Sequence, residues 1–138
     1  MMELLAGFIA GLAMSVVFTA TGAVMLFSSP EVWRAASRLL PKGASSLWMS
    51  LLFSLGAPVA WSILGLVAGL VYLLCATQWP APGLGSPNLA FTLVANLVAL
   101  GGFIVPGLLF RRLRWMLLTS AVAFAAAFGW LLPWLAQA

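Results

Sequence analysis

Apolar residues fall into four long runs along this chain, and short links that are polar or rich in glycine and proline separate them. The runs cover residues 4–27, 47–76, 89–110 and 115–135. A helix needs roughly 20 mostly apolar residues to cross the hydrocarbon core of a bilayer, and each run reaches that length. The pattern predicts an all-α integral membrane protein with four transmembrane helices in a single domain, residues 1–138.

The links differ in character. The last two runs are joined only by Arg111-Arg112-Leu113-Arg114, which predicts a helical hairpin with a tight basic turn. In the first link, residues 28–46, Pro30 and Glu31 suit the start of a helix. Its residues alternate between an apolar side with Trp33 and a basic side, which predicts a short amphipathic helix lying in the headgroup layer. Such a helix is either a docking surface for a partner or lipid, or a simple connector.

Basic residues lie only in the first and third links, and the second link, residues 77–88, carries no charge. Loops rich in Arg and Lys stay in the cytoplasm, so both of these links are predicted to be cytoplasmic and both termini outside. We expect the membrane to be a prokaryotic inner (plasma) membrane. The residues predicted to contact anionic headgroups are Arg34, Arg38, Lys42, Arg111, Arg112 and Arg114.

Composition supports this interpretation, because the chain is 64% hydrophobic and only 6% charged. Soluble proteins carry about 25% charged residues, so this chain could not cover a soluble surface. The net charge of +4 would suggest nucleic acid in a soluble protein. Confined to two links of a membrane protein, it indicates topology signals and contact with lipid, and no nucleic-acid partner.

Small residues recur every four positions along the first run, which places them on one helix face. A second backbone can approach such a face closely, and its partner is either another helix of this chain or another subunit. We expect the face to be contacted by other membrane subunits. The residues of this predicted packing face are Gly7, Gly11, Ser15, Thr19 and Ala23.

Proline interrupts two of the runs, at Pro58 and Pro106, and predicts a kink at each. Pro58 is expected to bend its helix without being required for the fold. Broken helices also form substrate sites in some transporters, which is the alternative role of these breaks.

Two polar side chains, Thr92 and Asn96, share one face of the third run. Ser86 is predicted to be the N-cap of this helix and Pro87 its first residue. They either make an interhelical hydrogen bond or line a site for an uncharged solute or a cofactor carbonyl. Trp61 near the middle of the second run is the best aromatic candidate for stacking on a ligand ring, although aromatic residues also pack against lipid.

Catalytic and metal-ligating side chains are scarce, because the chain has no His, one Cys, and no ionisable residue at the centre of any run. We therefore predict no enzymatic activity, no metal site and no resident cofactor. The predicted function is that of a structural or accessory subunit of a larger membrane complex, acting through helix packing. The alternative is a homo-oligomeric carrier or channel for an uncharged or amphiphilic, lipid-like solute. The expected partners are membrane lipids and other membrane subunits or the chain itself.

Overall fold

The computed structural model describes residues 1–38, 46–80 and 88–137, and within those ranges the regular secondary structure is entirely helical. Four helices are long and apolar enough to cross a membrane, as the four apolar runs predicted, and a fifth, short helix follows the first. The helices are α1 Met2–Ser28, α2 Pro30–Arg38, α3 Ser46–Gln78, α4 Leu89–Leu109 and α5 Arg114–Gln137.

The first long helix, α1, is the centre of the assembly. It packs along α3 on one side and along α5 on the other, whereas α4 packs chiefly against α5 and meets α3 at few points. The N-terminal part of α1 lies beside Gly69 of α3, and Gly22 near its other end lies beside Phe53. The two helices are therefore antiparallel.

An unbroken chain of aromatic rings crosses the interior and draws on all four long helices. Successive ring centroids are 4.6–6.3 Å apart. Aromatic pairs at such distances contribute about 0.5–1.5 kcal/mol each beyond the area they bury. These ring contacts therefore hold α4 to the other helices, although α4 has few contacts with α3. In spatial order the rings are Phe53, Phe18, Trp61, Phe103, Phe124 and Phe128.

Helices α4 and α5 each contain one widened, π-helical turn. These turns are Leu100–Ile104 and Ala127–Leu131, and each ends two residues before a proline, Pro106 or Pro133. A proline ring clashes with the carbonyl group four residues earlier, and a wider turn relieves such a clash. Pro58 differs from these two prolines, because α3 continues through it as an α-helix.

The start of α4 differs from the sequence-based expectation, because the N-cap is Asn88 and the helix begins at Leu89. The Asn88 side-chain oxygen accepts a hydrogen bond from the Phe91 backbone N–H at 3.0 Å, and its amide donates to the Trp79 carbonyl at 3.1 Å. Ser86-Pro87, the predicted opening of this helix, lies outside the described residues. Asn88 thus caps the start of α4 and also joins it to Trp79, which directly follows α3.

Candidate helix-packing faces

The small-residue face of α1 is covered by α3 of the same chain. A methyl group added to Gly7 would overlap the Gly65 carbonyl oxygen, and one added to Gly11 would overlap the Trp61 carbonyl oxygen. A methyl group on Gly11 would also lie 3.1 Å from the Gly65 Cα atom. The face that we expected to receive other subunits is therefore filled from within at these two glycines.

The partner residues on α3, Gly65 and Gly69, were not singled out from the sequence. A methyl group on Gly65 would overlap the Gly7 carbonyl oxygen, and one on Gly69 would overlap the Glu3 carbonyl oxygen. The signal for them was present, because they are four residues apart, the same spacing as Gly7 and Gly11. Two glycine pairs thus face each other across one close helix contact.

The rest of the predicted face is less uniform. Ser15 is buried, and its hydroxyl donates to the Leu12 carbonyl within the same helix at 2.7 Å. Thr19 is half-buried, and its buried hydroxyl has no partner within the described part of the chain. Ala23 is half-buried, while Gly22 beside it contacts the Phe53 ring. Close backbone packing is therefore confined to the N-terminal half of α1.

Thr92 and Asn96, the polar pair of α4, are not hydrogen-bonded to each other. The Thr92 hydroxyl donates to the Asn88 carbonyl at 2.9 Å. Asn96 is exposed, and its amide makes no hydrogen bond to any residue that the structure describes. An amide has two donor hydrogens and an acceptor oxygen, so the bonding capacity of Asn96 is unused.

Asn96 lies on a leucine-rich surface of α4 that no other described helix covers. The residues of this surface, which we call the α4 outer face, follow one another at steps of four, three and four residues. At about 100° per residue they fall within roughly 60° of the helix circumference. Leu93 is 61% exposed and Leu100 is 49% exposed, so the face is open on both sides of the amide. The α4 outer face consists of Leu89, Leu93, Asn96 and Leu100.

An apolar cavity of about 350 Å³ separates α3 from α4. Trp61 forms part of its wall, and the indole N–H of Trp61 has no acceptor within the described ranges. The ring also stacks on Phe103, with centroids 6.3 Å apart, so it belongs to the aromatic chain of the interior as well. The aromatic residues of the wall are Trp61, Phe91, Phe103, Phe124 and Phe128.

The basic residues that the structure describes lie at the end of the bundle where α2 meets the turn between α4 and α5. Arg112 forms an ion pair of 2.8 Å with Glu31 of α2. Both side chains are more than half exposed, so the pair contributes only about 0–1 kcal/mol, but it shows which ends of the helices are neighbours. Arg34 donates to the Pro30 carbonyl at 3.4 Å, and Lys42 lies outside the described residues.

At the opposite end, the chain terminus of α5 approaches α3. The Gln137 side chain donates to the Tyr72 hydroxyl at 3.3 Å, and the Tyr72 ring meets Phe91 of α4 edge-on at 5.1 Å. Cys75 is buried one turn further along α3. Within the described ranges, no three His, Cys, Asp or Glu side chains come together in a way that could hold a metal ion. Comparison with protein-family models, curated proteins and solved structures gives no match for this chain.

Proposed function

We propose that this protein is a structural or accessory subunit of a membrane complex and that it acts by packing its helices against other helices within the bilayer. The observation that carries this proposal is the unpartnered Asn96 amide on the open α4 outer face. The face proposed to contact other subunits is therefore the α4 outer face rather than the small-residue face of α1, which α3 covers.

The physical reason lies in the cost of an unsatisfied amide in hydrocarbon. Asn96 is seven residues from the start of α4, or about 10 Å along the helix axis, inside a hydrocarbon core about 30 Å thick. Lipid tails offer the amide no donor and no acceptor, and its side chain is too short to reach the headgroups. Leaving an amide unpaired there costs several kcal/mol. A polar group from another helix removes that cost, and close packing of the flanking leucines adds to the attraction.

The orientation that we propose places α2 and the turn between α4 and α5 on the cytoplasmic side, with α2 in the headgroup layer. Support comes from the Glu31–Arg112 ion pair, which brings these two basic regions to one end of the bundle. A cavity of about 420 Å³ between α1 and α5 lies beside Arg112 and Trp115. An anionic lipid fits this place, with its headgroup at the guanidinium and its chain between the helices.

The test of the packing function is the mass of the protein extracted with its natural partners. Wild type and Asn96→Leu are expressed at native levels, extracted in mild detergent and weighed by native mass spectrometry. We expect wild type in assemblies larger than one chain, and a larger monomer fraction in Asn96→Leu. Thr92→Val is the matched control, because the Thr92 hydroxyl is already bonded within α4 and its loss leaves the assemblies unchanged. Wild type that runs only as a monomer contradicts the proposal.

A second candidate function is the carriage of an uncharged or amphiphilic, lipid-like solute, which the aromatic cavity between α3 and α4 favours. Its volume lies within the range of small-molecule sites, and its wall is almost wholly apolar and rich in aromatic rings. A cleft of that kind accepts a ring or an isoprenoid chain. The discriminating measurement is lipid extraction followed by mass spectrometry. A stoichiometric amphiphile that wild type retains and Trp61→Leu loses supports the carrier, and its absence in wild type contradicts it.

A further inference from the structure

We infer that the partner of the α4 outer face is the same face of a second copy of this chain, so that two α4 helices form a parallel seam with Asn96 opposite Asn96. This inference rests on the proposed packing function and names its partner. The first support is the spacing of the face. Leu89, Leu93, Asn96 and Leu100 repeat at steps of four, three and four residues, which is the heptad spacing of helices that pair side by side.

The second support is the chemistry of the amide. The carbonyl oxygen of one Asn96 side chain accepts a hydrogen bond from the amide nitrogen of another, so two identical side chains satisfy each other. A single asparagine in an otherwise apolar seam fixes the register of paired helices, because any shift leaves both amides unpaired. The only other asparagine, Asn88, is buried and bonded to Trp79 and Phe91, so it does not compete for this role.

The third support is the distribution of charge, which orients every copy in the same way. If both copies keep their basic ends in the cytoplasm, their α4 helices run parallel and a two-fold axis along the membrane normal relates them. Each residue of the seam then meets its own counterpart. The widened turn extends the seam, because the Val105 N–H donates to the Leu100 carbonyl and Val105, 44% exposed, follows Leu100 on the open side.

Cysteine cross-linking tests the register of the seam. In a Cys75→Ala background, single cysteines replace Leu89, Leu93, Leu100 or Val98, and isolated membranes are treated with a mild oxidant. We expect disulfide-linked dimers for the three leucine positions and none above background for Val98. Val98 is the matched control, because it is 50% exposed against 49% for Leu100 but lies on the side of α4 that faces the α3 cavity.

Moving the amide tests its role without changing the composition. The double variant Asn96→Val with Val98→Asn exchanges the two residues and turns the amide about 200° around the helix. We expect dimer formation in lipid bilayers, measured by energy transfer between labelled copies, to weaken by about 3- to 30-fold, the range for one interhelical hydrogen bond. The single variant Asn96→Gln keeps an amide at the seam, so we expect it to retain more of the wild-type affinity than the double variant does.

The outcomes separate this inference from the proposed function. Dimers cross-linked at the leucine positions and weakened by the exchange support both. Assemblies with a foreign subunit, without cross-links between copies, overturn the second-copy inference and leave the packing function in place. A monomer in membranes and in detergent overturns both. Cross-links that peak at Val98, or dimers that the exchange leaves unchanged, also overturn the seam.

Discussion

Single glycines set the distance between α1 and α3. Gly7 and Gly11 on one helix meet Gly65 and Gly69 on the other, and in each case a methyl group would overlap a backbone carbonyl oxygen of the facing helix. A side chain at the end of a flexible stem could move away, but a backbone carbonyl cannot move without shifting its helix. Enlarging any of these glycines is therefore expected to push α1 and α3 apart and to weaken their whole contact.

Gly11→Ala is expected to destabilise the folded protein. The added methyl group meets the Trp61 carbonyl and the Gly65 Cα, and forced overpacking of this kind costs about 1–3 kcal/mol. Gly56→Ala is the matched control within α3, because nothing lies within 4 Å of a methyl group there, and alanine favours the helix. Unfolding in mixed micelles of increasing denaturing detergent measures both. Equal stability of the two variants would show that α1 and α3 are further apart than described.

The two asparagines are expected to respond in opposite ways in a dilute, monomeric sample. Asn88→Ala removes the N-cap of α4 and the bond to the Trp79 carbonyl, and loss of a cap costs about 0.5–2 kcal/mol. Asn96→Ala removes no bond within the described chain and leaves the melting temperature of the monomer unchanged or raised. Thermal unfolding followed by tryptophan fluorescence compares them. A larger loss for Asn96→Ala would mean that its amide is used inside the monomer.

The sequence alone could identify Asn96 as unusual but could not decide where it points. The α4 run is apolar on every side, so no polar stripe separates an outer face from an inner one. The first run is also apolar on all sides, so the sequence could not show that Gly7 and Gly11 face α3. Small residues permit close packing with a helix of the same chain or of another subunit equally well. Asn88 was missed for another reason. Ser86 and Asn88 are both good cap residues by type, and the sequence does not reveal the contact of the Asn88 amide with the Trp79 carbonyl.

At the scale of elements, the long helices were predictable because run length and links determine them. The widened turns of α4 and α5 were not predicted, although they share a pattern. In both, a glycine, Gly102 or Gly129, stands four residues before the proline, whereas Ser54 stands four residues before Pro58. The residue four before a proline carries the carbonyl that meets the ring. Glycine lets that backbone rearrange more freely, which fits the wider turns.

Pro106→Ala is expected to return the widened turn of α4 to a regular α-helix. The alanine N–H can then donate to the Gly102 carbonyl, and the ring that displaced this carbonyl is gone. Hydrogen exchange measured by NMR in detergent micelles should show a protected amide at residue 106.

Pro58→Ala serves as the control for that change. It supplies the same kind of donor to a helix that is already α-helical, so the protein stays folded and extractable, and the expected change is a straighter α3 around residue 58. A widened turn that persists in Pro106→Ala would show that the proline is not its cause. Complete loss of folded protein in Pro58→Ala would show that this proline is required for the fold.

At the scale of the whole molecule, two contacts far apart in sequence define the two ends of the bundle. Glu31 pairs with Arg112 at one end, and Tyr72 meets Gln137 at the other. Neighbouring helices in sequence therefore alternate in direction. This antiparallel order brings both basic regions to one end of the bundle, and the charge pattern of the sequence likewise groups them on one side.

Thiol labelling tests which end of the proposed membrane bundle faces the cytoplasm. Single cysteines are placed at Ser37 in α2 and at Gln78 at the end of α3, both exposed, in a Cys75→Ala background. A thiol reagent that cannot cross membranes is applied to intact cells and to inside-out vesicles. Because the excess of Arg lies beside Ser37, we expect residue 37 to react only in the vesicles and residue 78 only in intact cells. The reverse result would invert the proposed topology and place the basic regions outside. Reaction of both positions from one side would contradict the four membrane crossings themselves, since α3 would then fail to separate its two ends.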